Sequence, residues 1–271
     1  MKTPASPSLP MALPAAIQMA PEASAWQCTQ LEREAVLRNV GAAALLPVLP
    51  PVGRGNGRAV LVVPGGGFLF VAVDNEGLPV AQRLAEAGYA AFVLVYRTQP
   101  TDVDDRAFQR ALPLAWQRLA EQVAADGDLA AHGPAVDDTR TAMRWLRTHA
   151  ADFAFDPARL GVLGFSAGAR CGRALVAQAA PADMPDSLAL IYGGFAGTVP
   201  RSPVPPLFLA QAADDPLFDR RHPDILDDWR RAGQRAELHL YERGGHGFGL
   251  RTQDATSDHW FDAYRAWLDR Q

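Results

Sequence analysis

The 271-residue chain holds only two cysteines, Cys28 and Cys171. That scarcity excludes a disulfide framework and every zinc motif built on several cysteines. There is no surplus of basic charge either. The formal net charge is −4, so nothing offers a broad electrostatic grip on nucleic acid. No uncharged apolar run approaches the roughly 18 residues of a membrane span. Neither nucleic acid nor a membrane is therefore an expected partner. Charged residues make up 21% and hydrophobic residues 48%, which excludes bulk disorder. A chain of this length buries a large core without metal or disulfide staples.

No internal repeat is visible, and no linker divides the chain. Near the start, Lys2, a mildly apolar stretch and Ala23-Ser24-Ala25 loosely imitate a secretion signal. Pro4, Pro7, Pro10, Pro14 and Pro21 break any helical segment there. Residues 1–32 therefore read as an irregular N-terminal arm and 33–271 as one domain. The arm reading tilts the compartment towards the cytoplasm over secretion or the periplasm, without fixing it. Oligomeric state is not legible.

Residues 34–40 and 44–49 read as two short strands joined around Gly41, and Pro47 confines the second to a sheet edge. Ala59 to Val63 is a continuous apolar run, as expected of a strand buried on both faces. Alternation then sets in. Helices are expected at 76–87, 106–124, 135–150, 167–179, 222–232 and 255–269. Strands are expected at 90–95, 160–165, 188–192, 207–211 and 236–241. This order implies an α/β protein with a single mostly parallel sheet of about eight strands and helices on both faces.

Gly164-Phe-Ser-Ala-Gly168 fits G-x-S-x-G directly after a strand and directly before a helix, the context of a nucleophile elbow. Side chains two residues either side of Ser166 would collide with the neighbouring strand and helix, hence the glycines. The turn lifts the serine hydroxyl into the open at a helix N-terminus, where developing negative charge is favoured. The alternative is a plain strand-to-helix turn that uses small residues.

Pro64-Gly-Gly-Gly-Phe68 follows the 59–63 strand. No Lys-Ser/Thr follows, and G-x-G-x-x-G spacing is absent, so phosphate-loop and dinucleotide readings fail. An oxyanion hole fits better, made from the N–H groups of Gly66 or Gly67 with that of Ala167. The alternative is a flexible turn.

In a hydrolase triad the acid and then the histidine follow the serine along the chain. His246, in Gly244-Gly-His-Gly-Phe-Gly249, lies on a loop after the last strand, where parallel sheets build sites. His239 reads as structural, and His222 and His259 as helix-surface residues. For the acid, Asp214 and Asp215 compete in the loop after strand 207–211. Pro216 presses its predecessor towards extended geometry, which favours Asp215 and leaves Asp214 as a turn or capping carboxylate. Asp219 reads as the start of the next helix. No spacing suits a metal.

The joint set of motifs resembles the α/β-hydrolase esterases of the esterase/lipase, acetylxylan-esterase-like kind. It comprises Pro64-Gly-Gly-Gly-Phe68, Asn75-Glu-Gly77, Phe92-Val-Leu-Val-Tyr-Arg97, Asp156-Pro157, Gly161 to Gly168, Ala213-Asp-Asp-Pro216 and Gly244 to Gly249. The resemblance spans about residues 33–270. It implies an α/β-hydrolase fold and carboxylic-ester hydrolysis by Ser166, Asp215 and His246 through an acyl-enzyme, without a cofactor. It also places the acid directly before the proline, and it points to short acyl groups, often on carbohydrates. Three features depart from relatives. Pro64 stands where hormone-sensitive-lipase-like members have His, Ala169-Arg170 where many have Gly-His, and segment 101–133 exceeds the common connection.

That segment carries Leu112, Trp116 and Leu119 on one helix face. It is expected to fold over the acyl side as a small cap, making a shallow pocket; the alternative is packing on the flank. Phe68, Tyr192 and Phe195 are candidate pocket residues, although core packing competes for Tyr192 and Phe195. Glu76 reads either as a helix N-terminal acid or as an anchor for the glycine loop or a substrate contact. Arg170 and Arg173 are expected to be ion-paired or solvated, and Cys171 buried. Two other readings remain. A peptidase or thioesterase would use the same scaffold, and a non-catalytic binding protein should have lost part of the triad.

Overall fold

Strand β5 (Ala59–Val63) and strand β8 (Leu160–Phe165) are buried along their whole length, as their unbroken apolar sequences demand. They pair side by side in parallel, from Ala59 opposite Leu160 to Val63 opposite Gly164. In the computed structural model these two strands sit at the centre of the molecule. The structure describes residues 13–19, 25–194, 196, 203–218 and 224–271.

The remaining elements follow in order. β1 (Ile17–Gln18), β2 (Gln27–Gln30), β3 (Ala35–Arg38) and β4 (Ala44–Val48) precede β5. β6 (Phe70–Val71), α1 (Leu78–Glu86), β7 (Ala90–Val95), α2 (Asp105–Asp126) and α3 (Gly133–Thr148) lie between β5 and β8. α4 (Ala167–Gln178), β9 (Leu188–Ile191), β10 (Leu207–Ala212), α5 (Asp224–Arg231), β11 (Ala236–Tyr241) and α6 (Trp260–Leu268) complete the chain. An eight-stranded sheet runs β1-β4-β7-β5-β8-β9-β10-β11. Only the β1–β4 and β4–β7 pairs are antiparallel. All the strands from β7 to β11 in that order point the same way, so their carboxyl ends share one edge.

Two expectations about the sheet change. The strand read at 34–40 shortens to β3 and leaves the main sheet. It pairs instead with β2 and β6 in a separate three-stranded sheet. The eighth place belongs to β1, inside the stretch expected to be an irregular arm, and β2 lies there too. β1 and β6 are two residues long, too short to carry any periodic signal. Pro47 does lie at an effective edge. β1 covers only Ala44 and Leu45 on that side, and beyond them no ladder bond is needed.

Helix boundaries shift modestly. The expected 76–87 helix is preceded by a π-helical turn, Val73–Gly77, and the 255–269 helix opens with a separate turn, Thr256–His259. α2 begins at a well-made cap, the Asp104 carboxylate accepting from Ala107 N at 2.7 Å, and ends at Gly127 with φ 77°. Its first turns pack on the small sheet, where Val36, Phe70, Ala72 and Phe108 form a satellite core. Arg38 is fully buried in that junction. It donates to Thr29 at 2.6 Å and Asp105 at 2.5 Å and lies over the Phe108 ring at 4.8 Å. These contacts seat α2 beside the carboxyl edge of the main sheet. Among the described residues, no helix is long and apolar enough to cross a membrane.

Candidate active site

The edge is built from loops that leave β5, β8, β10 and β11. After β8 the chain turns sharply at Ser166, whose φ of 48° is rare for a residue with a side chain. A methyl group on Gly168 would overlap the Val63 carbonyl of β5, and one on Gly164 would overlap the Gly168 carbonyl. The two glycines therefore let helix, strand and elbow close together. α4 starts at Ala167, so the serine stands at its N-terminus.

Ser166 Oγ lies 2.8 Å from His246 Nε2, and His246 Nδ1 lies 2.9 Å from Asp215 Oδ2. A carboxylate only accepts, so Nδ1 carries the proton and Nε2 is left to accept from the serine hydroxyl. Asp215 is almost wholly buried. Its Oδ2 also accepts from Gln211 Nε2 at 2.7 Å, and its Oδ1 from Leu217 N at 2.8 Å and Phe218 N at 3.3 Å. Burial pushes its carboxyl up, but the His246 contact and the two backbone N–H groups outweigh that and hold it below the usual range. The imidazole is wedged between the rings of Tyr192 and Phe218, at centroid distances of 5.2 and 5.6 Å. Asp214 caps no helix among the described residues. It accepts from Gly245 N at 2.8 Å and so anchors the histidine loop.

The glycine loop after β5 is tied down from two sides. Tyr96 OH donates to the Pro64 and Gly65 carbonyls, at 3.0 and 3.1 Å. Glu76 Oε2 accepts from Gly65 N at 2.6 Å, while its Oε1 accepts from Tyr192 OH at 2.7 Å. That hydroxyl in turn accepts from Gly249 N at 3.1 Å. One buried carboxyl thus links the glycine loop to the histidine loop, which matches the anchor alternative for Glu76. Burial raises its pKa, opposed by the hydrogen bonds from Tyr192 and Gly65. Glu76→Gln puts an amide N–H against one of two buried donors. It should cost about 1–3 kcal/mol of stability, read as a lower urea midpoint.

A cavity of about 260 Å³ opens on Ser166 and His246, with Gly66, Phe70, Trp116 and Glu34 among its walls. Trp116 comes from α2. Its ring meets Phe70 edge-on at 5.9 Å, and a methyl on Gly67 would lie 2.8 Å from it. Phe68 and Tyr192, candidate pocket residues, are not among the residues that line this cavity. Phe68 packs behind the loop against Tyr96 and His132, and Tyr192 is fully buried by its network role. Phe195, His222 and Asp219 lie outside the described residues. His239 contacts Glu237 at 2.8 Å, and His259 is exposed. Arg170 and the buried Arg173 both pair with Asp128. The Cys171 thiol is pushed up to about 12 by burial. Sequence reasoning missed Phe70, Glu34 and Arg251 as pocket residues. Among the described residues, no cluster of His, Cys, Asp and Glu could hold a metal ion.

A serine–histidine–aspartate array on the carboxyl edge of this sheet defines an α/β-hydrolase. More particularly, the chain belongs to the dienelactone hydrolase family, whose profile matches residues 51–270. It is similar to an acetylxylan esterase of Xylanibacter ruminicola, 24% identical over 266 residues. That match covers 86% of this chain and 49% of the relative, so the chain spans about half the relative's length. The fold is shared with an acetyl ester-xyloside bifunctional hydrolase from Caldicellulosiruptor lactoaceticus, at TM-score 0.64 and 23% identity over 84% of this chain and 88% of that one. It is shared too with a thermophilic esterase of Thermogutta terrifontis solved with butyrate bound, at TM-score 0.63 and 17% identity over 84% and 89%.

Proposed function

We propose that the protein is a serine carboxylesterase for short, acetyl-like acyl groups, with acetylated carbohydrates as its substrates. The observation that carries the reading is the relay from Ser166 Oγ through His246 to Asp215, at 2.8 and 2.9 Å. Ser166 attacks the ester carbonyl as His246 takes its proton. Backbone N–H groups of Gly66 or Gly67 and Ala167 receive the oxyanion. His246 then protonates the leaving alcohol, and water releases the acyl group by the same route. Asp215 orients the imidazole and stabilises its charged form. The chain needs no cofactor for these steps. The carbohydrate part rests on the acetylxylan esterase likeness and on the polar groups of the cavity wall.

Acyl length follows from α2, read as a cap over residues 101–133. Trp116 and Phe70 close the cavity above the glycine loop, leaving room for acetate to butyrate. A panel of p-nitrophenyl esters run from acetate to decanoate should show kcat/KM falling steeply beyond butyrate. Trp116→Ala should raise the octanoate-to-acetate ratio about tenfold, the scale set by admitting one or two more methylenes. Equal specificity constants for acetate and decanoate in the unaltered protein would refute the cap. Absence of hydrolysis across the panel would refute the esterase.

A further inference from the structure

We propose that Glu34 is a specificity-determining residue: its carboxylate receives a hydroxyl group that neighbours the scissile ester on the leaving alcohol. This rests on the esterase reading of Ser166 and names which alcohols that site prefers. His246 must protonate the departing oxygen, so the leaving group lies on the histidine side of Ser166. That side of the cavity is polar. Arg251 holds the Gly247 carbonyl at 2.9 Å with one nitrogen and Glu34 Oε1 at 2.7 Å with the other. Both residues line the same cavity as Ser166 and His246. The same cavity also has an apolar lining, from Phe70, Ala72 and Trp116.

Glu34 has acceptor capacity to spare. Its side chain is 15% exposed, and its Oε2 is buried without a hydrogen-bond partner. An apolar alcohol filling the cavity would bury the carboxylate further and give its Oε2 no partner. An alcohol with a hydroxyl on the adjacent carbon supplies the missing hydrogen. Polyols and sugars meet that requirement; simple alkanols do not.

The charge of Glu34 is itself set within the site. Burial and the nearby Glu76 raise its carboxyl to about 7, against the opposing pull of Arg251, with Asp74 adding to the rise. His246 faces the same cavity. As pH rises through about 7, Glu34 changes from a neutral acid to a carboxylate, the stronger acceptor. Preference for hydroxyl-bearing alcohols should therefore rise with pH. A pH effect on the chemistry common to both esters cancels in a ratio of two substrates.

Glycerol 1-monoacetate and propyl acetate share the acyl group and the three-carbon chain and differ in hydroxyls. The experiment measures kcat/KM for both by acetate release, across about two units either side of pH 7. The expected monoacetate-to-propyl ratio climbs with pH in the unaltered protein. In Glu34→Gln it should be about tenfold lower at the alkaline end and flat with pH, as loss of one charge-assisted hydrogen bond implies. A flat ratio in the unaltered protein overturns the proposal without recourse to any variant. So does a Glu34→Gln ratio equal to that of the unaltered protein. Hydrolysis of neither ester overturns the esterase reading itself, whereas hydrolysis of both with a flat ratio overturns Glu34 alone.

Discussion

Ser166→Ala should remove about six orders of magnitude from kcat for p-nitrophenyl acetate, the loss typical of deleting a triad nucleophile. The hydroxyl is the only atom removed, and it is the group 2.8 Å from His246 Nε2. The backbone has no reason to move. Ser166 is held at φ 48° by Gly164 and Gly168 closing around it and by its own N–H bonding the Ile191 carbonyl at 3.0 Å. Alanine tolerates that conformation about as poorly as serine, so the thermal midpoint should stay within a few degrees. Weak hydrolysis should survive, because the backbone donors beside the elbow still meet the oxyanion. A Ser166→Ala protein that keeps a tenth of the activity would take the nucleophile's role away from this residue.

The elbow was legible because its constraint is local. Three residues of strand, turn and helix dictate where a Cβ fits, so the pattern Gly164 to Gly168 states its own geometry. The glycine loop and the histidine loop are legible for the same reason. Asp215 is different: its proximity to His246 depends on β10 and β11 being neighbours, and only their order in the chain hinted at that. Trp116 was legible only as part of a helix face needing cover, and Phe70 and the Glu34–Arg251 pair were not legible at all. Glu34 and Arg251 lie 217 positions apart, and nothing local marks either as a pocket residue. Glu34 directly precedes β3, which leaves the main sheet to pair with β2 and the two-residue β6. For Tyr192 the sequence left a pocket role and core packing both open. It stands at a strand end beside the site, but its hydroxyl has two partners behind the histidine, so the ring turns inward. Glu76 shows what would have helped. A carboxylate a few residues after a glycine run with orphan N–H groups has a nearby donor to satisfy.

Asp215→Asn should lower kcat by about four orders of magnitude, whereas Asp214→Asn should cost less than about tenfold. The two side chains are adjacent and chemically identical, so the difference must come from what each one touches. Asp215 Oδ1 accepts from Leu217 N and Phe218 N, two donors that only an oxygen can satisfy. An asparagine at 215 must therefore keep its carbonyl oxygen there and turn its amide nitrogen to the Oδ2 position, which faces His246 Nδ1 at 2.9 Å. An amide donor there forces Nδ1 to accept, so the ring proton moves to Nε2 and points at Ser166. The histidine can no longer take the serine proton, although every atom stays in place. Gln211 Nε2, which now donates to Oδ2, relieves its own conflict by an amide flip. Among the described residues Asp214 meets a single donor, Gly245 N, at the exposed end of the loop. Asparagine keeps an oxygen for that bond, so the loop stays anchored and only the charge is lost. kcat on p-nitrophenyl acetate for the two variants decides the matter. The reverse order of effects would move the acid to Asp214, and equal large losses would mean that both aspartates serve the loop.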